Sequence, residues 1–121
     1  MNFVGGCWQR IDAAAASVDV ALRVLPEHCN THGTVHGGML LVLADQVVAM
    51  TTKLLLGRAG MTMHIDADLM GNVGSGQLVR ARARILRQTR STAFVEAHLH
   101  GDGAEAPLLR ASGLVRLLGE L

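Results

Sequence analysis

The sequence predicts an α+β fold in which a curved antiparallel sheet wraps around one long central helix. An almost continuous apolar segment from Gly38 to about Leu56 suits a helix of roughly five turns. One strand candidate precedes this segment and four follow it, an order typical of an antiparallel sheet with its helix on one face. The chain has 121 residues, of which 50% are hydrophobic, so we expect a single domain spanning residues 1–121.

The strand candidates are apolar-rich runs bounded by turn residues. In Ser17–Leu25, apolar and polar side chains alternate until Pro26, which is the pattern of a half-buried strand. The turns "GNVGSG", "QTRS" and "GDGAEA" separate the later candidates. These candidates are Met61–Met70, Gln77–Arg87, Ala93–His100 and Pro107–Leu117. We assign no element to residues 1–16, which form an N-terminal extension.

The predicted helix follows a loop without periodicity, residues 27–38, and ends at Gly57 and Gly60. Its side chains are apolar in nearly every direction. A helix without a wide polar face must be surrounded by protein, so we expect it to be buried on all sides.

Charge and composition restrict the partners. Eleven basic residues balance ten acidic ones, which leaves no net field to attract nucleic acid or an anionic membrane. Phe3, Trp8 and Phe94 are too few for a base-stacking surface. Asp45 and Lys53 interrupt the longest apolar stretch, which argues against a membrane span. With no export signal recognisable at the N-terminus, we expect a cytoplasmic protein with a small-molecule partner.

The turn at the start of the helix is a candidate binding site. His36, Gly37 and Gly38 lead into the helix, where backbone N–H groups lie at the positive end of the helix dipole and no Cβ blocks either glycine. Such a turn suits a phosphate or the oxyanion that forms when a carbonyl is attacked. It is also an ordinary way to begin a helix.

Asp45 is a candidate functional carboxylate, since an acid within an apolar helix is costly unless it is paired. The residues one turn away from it are all apolar and offer no salt bridge: Leu41, Val42, Val48 and Ala49. Asp45 lies eight residues after Gly37, about 12 Å along a helix, so one carbonyl cannot touch both. The spacing therefore predicts a composite site in a two-fold dimer.

The pattern N-x-x-G-x-x-H-G-G at Asn30–Gly38, followed by "LAD" at Leu43–Asp45 and four strands, resembles the hotdog-fold acyl-CoA thioesterases. It is most similar to the branch related to phenylacetyl-CoA thioesterase and human thioesterase superfamily member 2. The resemblance extends from about Val18 to Leu117. It implies a hotdog fold, a homodimer that commonly pairs into a tetramer, and hydrolysis of acyl-CoA without a metal or other cofactor.

The resemblance also implies roles for particular residues. Gly37 would donate its N–H to the thioester oxygen, and His36 and Asn30 would shape and polarise the site. Asp45 from the partner subunit would act as a general base or a nucleophile, and Thr62 would help to hold the attacking water.

Four further residues are candidates for substrate binding. Gly38 belongs to the helix-start turn, and His64 either borders the site or is a structural histidine. Arg87 and Arg90 would meet the CoA phosphates or are plain surface residues. Many relatives have a proline in the segment that is "LMGN" here, Leu69–Asn72. The departure leaves the exact shape of the acyl pocket open.

The remaining polar residues have simpler interpretations. His28, His32 and His36 recur at four-residue steps, but they lie in a loop without a further ligand, so we expect no metal. His98 and His100, which share a strand face, are expected to be exposed. The alternating arginines of the third strand candidate predict a solvated sheet face: Arg80, Arg82 and Arg84.

Two other functions stay open at this stage. One is a hotdog hydratase or dehydratase acting on an enoyl or hydroxyacyl thioester, and the other is an acyl-CoA binding module without catalysis. A buried base argues against simple binding. The acyl group, whether aryl, short or medium, and the carrier, whether CoA or acyl carrier protein, also stay open.

Overall fold

A computed structural model describes residues 7–24, 27 and 29–119. It contains one helix and six strands in the order β1, β2, α1, β3, β4, β5, β6. Their bounds are Cys7–Asp12 (β1), Ser17–Arg23 (β2), Gly37–Leu56 (α1), Gly60–Leu69 (β3), Leu78–Gln88 (β4), Thr92–Gly101 (β5) and Pro107–Leu117 (β6). Each predicted element is present with slightly different ends, and Leu25 and Pro26 lie outside the described residues.

The strands form one sheet in the order β1-β2-β4-β5-β6-β3, in which every neighbouring pair is antiparallel. Helix α1 contacts β2 to β6, so the sheet curves around it. The predicted α+β architecture of a curved antiparallel sheet around a central helix is therefore confirmed.

Strand β1 was not predicted and lies within the N-terminal extension. It pairs with β2 from Cys7 opposite Leu22 to Asp12 opposite Ser17. The connecting turn consists of alanines, and it is closed by an Ala15 N–H that donates to the Asp12 carboxylate at 3.2 Å. Glycine, proline and asparagine are absent from it, and only the flanking Asp12 and Ser17 belong to the residue types that favour turns. The hairpin therefore carries only a weak local signal in the sequence.

The core lies between α1 and the concave face of the sheet. Leu40, Leu43, Val47 and Val48 of α1 are buried against this face. A Cβ built on Gly113 of β6 would lie only 2.9 Å from the Val48 Cγ1 atom. A side chain there would push the helix off the sheet, so glycine permits the close approach.

The opposite side of α1 is open, so the expectation that the helix is buried on all sides is wrong for a single chain. Leu41 is 36% exposed, and Asp45 and Lys53 are exposed as well. One curved sheet of six strands covers only one side of the helix. By length and hydropathy α1 could also cross a membrane, a property that core helices of soluble proteins share.

The convex face of the sheet carries the charged residues. Asp19 of β2 is only 9% exposed there, and it accepts hydrogen bonds from Arg82 of β4 at 2.8 and 3.1 Å and from Arg10 of β1 at 3.1 Å. The hydrogen bond from Arg82 is the main reason why the pKa of Asp19 is lowered, and Arg10 adds to this while burial opposes it.

The exposure predicted for this face is confirmed for the arginines only. Arg80, Arg82 and Arg84 are exposed. His98 and His100 are half-buried rather than exposed, because they lie in the middle of the sheet opposite Arg82 and Arg80.

We expect Arg82→Met to lower the free energy of unfolding at neutral pH by about 1 kcal/mol, a small value because the Arg82 side chain is 63% exposed. The pKa of Asp19 in the folded protein lies below its ordinary value of 3.8. The stabilisation by the Arg82–Asp19 pair is therefore complete above pH 3.8 and is lost as the pH falls through the lowered pKa. Urea unfolding at neutral and strongly acidic pH measures the difference.

The matched control is Arg80→Met on the same strand face, because Arg80 makes no ion pair with the part of the chain that the structure describes. A destabilisation by Arg82→Met that stays constant across this pH range contradicts the prediction.

Candidate active site

Asn30 organises the loop that leads into α1. Its side-chain oxygen accepts the N–H of His32 at 2.9 Å, the N–H of Thr34 at 3.3 Å and the hydroxyl of Thr34 at 3.2 Å. Its backbone N–H donates to the Thr34 carbonyl at 2.8 Å. These bonds close a tight loop, as asparagine side chains commonly do. The side-chain oxygen of Asn30 thus acts on the loop itself, which fits a role in shaping the site.

Asn72 fixes the other side of the same loop. Its amide nitrogen donates to the Val35 carbonyl at 2.9 Å, and its side-chain oxygen accepts the Val73 N–H at 2.8 Å. The Val35 N–H in turn donates to the Val73 carbonyl at 2.9 Å. In the sequence, Asn72 stands out only as part of the segment Leu69–Asn72 that departs from the relatives. Its contact with Val35 spans 37 residues, so no local pattern could have revealed it.

The helix begins at Gly37 with its first N–H groups uncapped. His36 is the N-cap residue, and its exposed side chain makes no capping hydrogen bond. Its carbonyl accepts the N–H groups of Met39 and Leu40, whereas those of Gly37 and Gly38 have no acceptor among the described residues. No acidic residue lies in the first turn. Two donors at the positive end of the dipole are thus available for an anionic oxygen.

Space in front of this turn is open. A Cβ built on Gly38 would meet nothing within 4 Å, and one built on Gly37 would lie 3.7 Å from Leu69 Cδ1, an ordinary contact. Packing within the chain therefore does not demand either glycine.

Asp45 and Thr62 form a hydrogen-bonded pair on the open side of α1. The Thr62 hydroxyl donates to Asp45 Oδ1 at 2.6 Å, a length typical of bonds to a carboxylate. The second oxygen, Oδ2, accepts no hydrogen bond from the described residues. Thr62 therefore orients the carboxylate and leaves one exposed oxygen available to a water or a substrate.

A β-bulge at Met63 separates Thr62 from His64. Thr62 lies opposite the buried Val115, but His64 lies opposite Leu114, whose side chain is on the convex face. Strict alternation would have put both residues on one face, and the extra residue of the bulge reverses the second. The prediction that His64 borders the site is therefore corrected: within one chain it faces away from Asp45.

The other predicted residues do not meet Asp45 within one chain. Gly37 and Gly38 lie about 12 and 10 Å back along the helix, respectively. Arg87 is exposed at the end of β4 and Arg90 in the following turn, and β5 and β6 separate β4 from β3. The three strand spacings between β4 and β3 amount to about 14 Å. One chain thus holds two separate half-sites, the helix-start turn and the Asp45–Thr62 pair.

No cluster of three or more histidine, cysteine or acidic side chains suited to a metal occurs within the described residues. His28 lies outside them, so the three loop histidines are not described as a set.

An antiparallel sheet curled around one helix is the architecture of the hotdog fold, and open N–H donors at the helix start with an oriented carboxylate two turns later suit a thioester hydrolase. The Thioesterase superfamily matches this chain over residues 32–106. The chain belongs to that superfamily, which confirms the resemblance seen in the sequence.

Several similar proteins agree with this assignment. A Pseudomonas aeruginosa protein named as an esterase is 32% identical over 119 residues, which cover 97% of this chain and 87% of that protein. Human acyl-coenzyme A thioesterase 13 is 29% identical over 93 residues, which cover 74% of this chain and 64% of the human protein. A thioesterase structure from Ralstonia eutropha, described as phenylacetic acid degradation-related, has a TM-score of 0.82 at 28% identity and covers 92% of this chain and 84% of that one.

We expect Asn72→Ala to loosen the helix-start turn, because the variant removes the donor to Val35 and the acceptor of Val73. The loss of roughly one net hydrogen bond predicts amide exchange about fivefold to tenfold faster in residues 35–40. Hydrogen-exchange mass spectrometry measures this, with a peptide from β5 as the internal reference. Unchanged exchange in residues 35–40 of this variant would refute the anchoring role.

Proposed function

We propose that the protein hydrolyses acyl-CoA thioesters to a free acid and CoA, in a site built from two copies of the chain. The observation that carries the proposal is the Asp45 carboxylate, oriented by Thr62 at 2.6 Å and left with one open oxygen. The superfamily supplies the thioester reaction, and the human relative named an acyl-coenzyme A thioesterase supports CoA as the carrier.

Asp45 acts on the thioester in one of two ways. As a general base, it takes a proton from water while the water oxygen attacks the carbonyl carbon. As a nucleophile, it attacks that carbon itself, and water then cleaves the resulting anhydride. In both routes the C–S bond breaks and CoA leaves as its thiolate, which takes up a proton.

The Gly37 N–H binds the oxygen on which negative charge develops, and the Gly38 N–H stands beside it as a second donor. A fixed backbone donor at the helix start stabilises the tetrahedral intermediate more than the planar substrate. Asn30 and Asn72 hold the preceding loop, and the exposed His36 borders the entrance to the turn.

The two half-sites require a second chain. Strand β3 is an edge of the sheet, and Met61, Met63 and Leu69 on it are 48%, 57% and 49% exposed. A long apolar edge of this kind favours pairing with another strand. A two-fold partner at β3 covers these side chains and part of the open face of α1, and brings its own helix-start turn to Asp45.

We further propose that this homodimer, or a dimer of dimers, is a cytoplasmic enzyme that uses no metal or other cofactor. Its partner is a small molecule, and neither nucleic acid nor a membrane is needed. The exposed Arg87 and Arg90 stay candidates for the CoA phosphates.

Thr62→Val should lower kcat about tenfold, because valine keeps the shape of threonine but leaves the carboxylate without its hydrogen bond. Thr62→Ser keeps the hydroxyl and is the matched control. Thiol release from acyl-CoA under saturating substrate measures kcat, and equal values for the valine and serine variants would remove Thr62 from the mechanism.

Complementation between inactive chains tests the composite site. Asp45→Asn removes the base, and Gly37→Pro removes the N–H. Proline suits the first position of a helix, and the His36 ψ of 135° suits the residue before a proline. We expect each variant alone to lose thiol release. Random pairing of the two gives half mixed dimers with one intact site each, which predicts about a quarter of wild-type activity.

Gly37→Ala keeps the N–H and is the control for the proline variant. A mixture as inactive as its components would overturn the composite site, and a Gly37→Pro variant that is active on its own would remove the helix-start turn from the mechanism. Full activity of the Asp45→Asn variant would refute the catalytic role of the carboxylate. Loss of enoyl-thioester absorbance without thiol release would instead identify a hydratase.

A further inference from the structure

A groove of about 670 Å³ runs along the open side of α1 and is walled mainly by apolar side chains. Val20 and Leu22 of β2 form one wall, and Val47 and Met50 of α1 form the other. Concave apolar spaces of this size commonly hold the apolar part of a small ligand.

Neither Asp45 nor Thr62 lines the groove, but residues close to both of them along the chain do. Gln46 and Ala49, which line it, are the residue next to Asp45 and the residue one turn further along the same helix face. Gly60, two residues before Thr62, lines it as well. An acyl chain with its carbonyl at Asp45 therefore has this groove as its adjoining apolar space.

Lys53 lines the far part of the groove, eight residues after Asp45 and thus about 12 Å further along α1. Its ammonium group makes no ion pair or hydrogen bond with the described part of the chain. The other polar side chains among the lining residues are Gln9 and Gln46, which are neutral amides, and no carboxylate lines the groove.

A cation at the far end of an apolar groove determines which terminal group of a bound acyl chain is favoured there. A terminal methyl group there would take water from the ammonium without replacing its hydrogen bonds. A terminal carboxylate would form a charge-assisted bond with Lys53, and the two glutamines could donate further hydrogen bonds. Attraction to the negative end of the helix dipole also favours a lysine in the last turn, but that effect creates no preference among substrates.

We propose that the acyl-CoA substrates of this protein include those whose acyl chain ends in a carboxylate, the CoA monothioesters of dicarboxylic acids, and that Lys53 binds the distal carboxylate. The two backbone positions are about 12 Å apart along α1, which leaves room for an acyl chain of medium length between the two side chains. This inference rests on the proposed function, because it takes the reacting carbonyl to lie at Asp45.

The experiment compares octanoyl-CoA with the CoA monothioester of octanedioic acid, which differ only at the terminal carbon. We expect wild-type kcat/KM to favour the diacid ester about tenfold, the effect of one charge-assisted bond. Lys53→Met and Lys53→Gln should abolish or reverse the preference, and Lys53→Arg should keep it. Arg80→Met, which removes an exposed cation from the convex face, is the matched control and should not change the ratio.

The possible outcomes separate the two proposals. A wild-type ratio near one, or a ratio that Lys53→Met leaves unchanged, overturns the role of Lys53 while hydrolysis itself stands. A rise in KM for both esters by the same factor in Lys53→Met assigns Lys53 to the CoA phosphates and also overturns the inference. Absence of thiol release from any acyl-CoA by the wild type would instead refute the proposed function.

Discussion

The one-sided burial of α1 is the constraint on which the rest of the structure depends. Twenty largely apolar residues form this helix, and the concave sheet covers only one side of it. Gly113 lets the sheet approach Val48 closely, so the covered side is tightly packed. The open side keeps Leu41, Asp45 and Lys53 accessible. Everything proposed about chemistry and assembly concerns that open side.

The polar groups of the candidate site are held in place by hydrogen bonds from side chains on other parts of the fold. Asp45 is oriented by one hydroxyl from β3, and the helix-start turn is held on its two sides by the side chains of Asn30 and Asn72. These supports lie on different elements that only the folded sheet brings together. A site preorganised in this way loses little energy to rearrangement when charge develops on the substrate.

The convex face of the sheet serves stability rather than chemistry. Asp19 is held between Arg10 and Arg82 on the neighbouring strands, and Asp68 is paired with Arg110 at 2.7 Å. Asp19 and Asp68 are thus paired across strands, while Arg80 on the same face has no ion pair among the described residues. The role proposed for Lys53 therefore rests on its place in the apolar groove rather than on its lack of a partner.

The sequence by itself determined the helix, five of the six strands and the peculiarity of Asp45, because periodicity, glycine turns and a lone acid in an apolar run are local signals. Only the tertiary structure decided the rest. Strand β1 is joined to β2 by an alanine turn with little turn signature, and the bulge at Met63 reverses His64. Asn72 acts through a contact distant in sequence, and the open side of α1 depends on how far one sheet can curve. Long-range pairing fixes these features, and no short stretch of sequence encodes it.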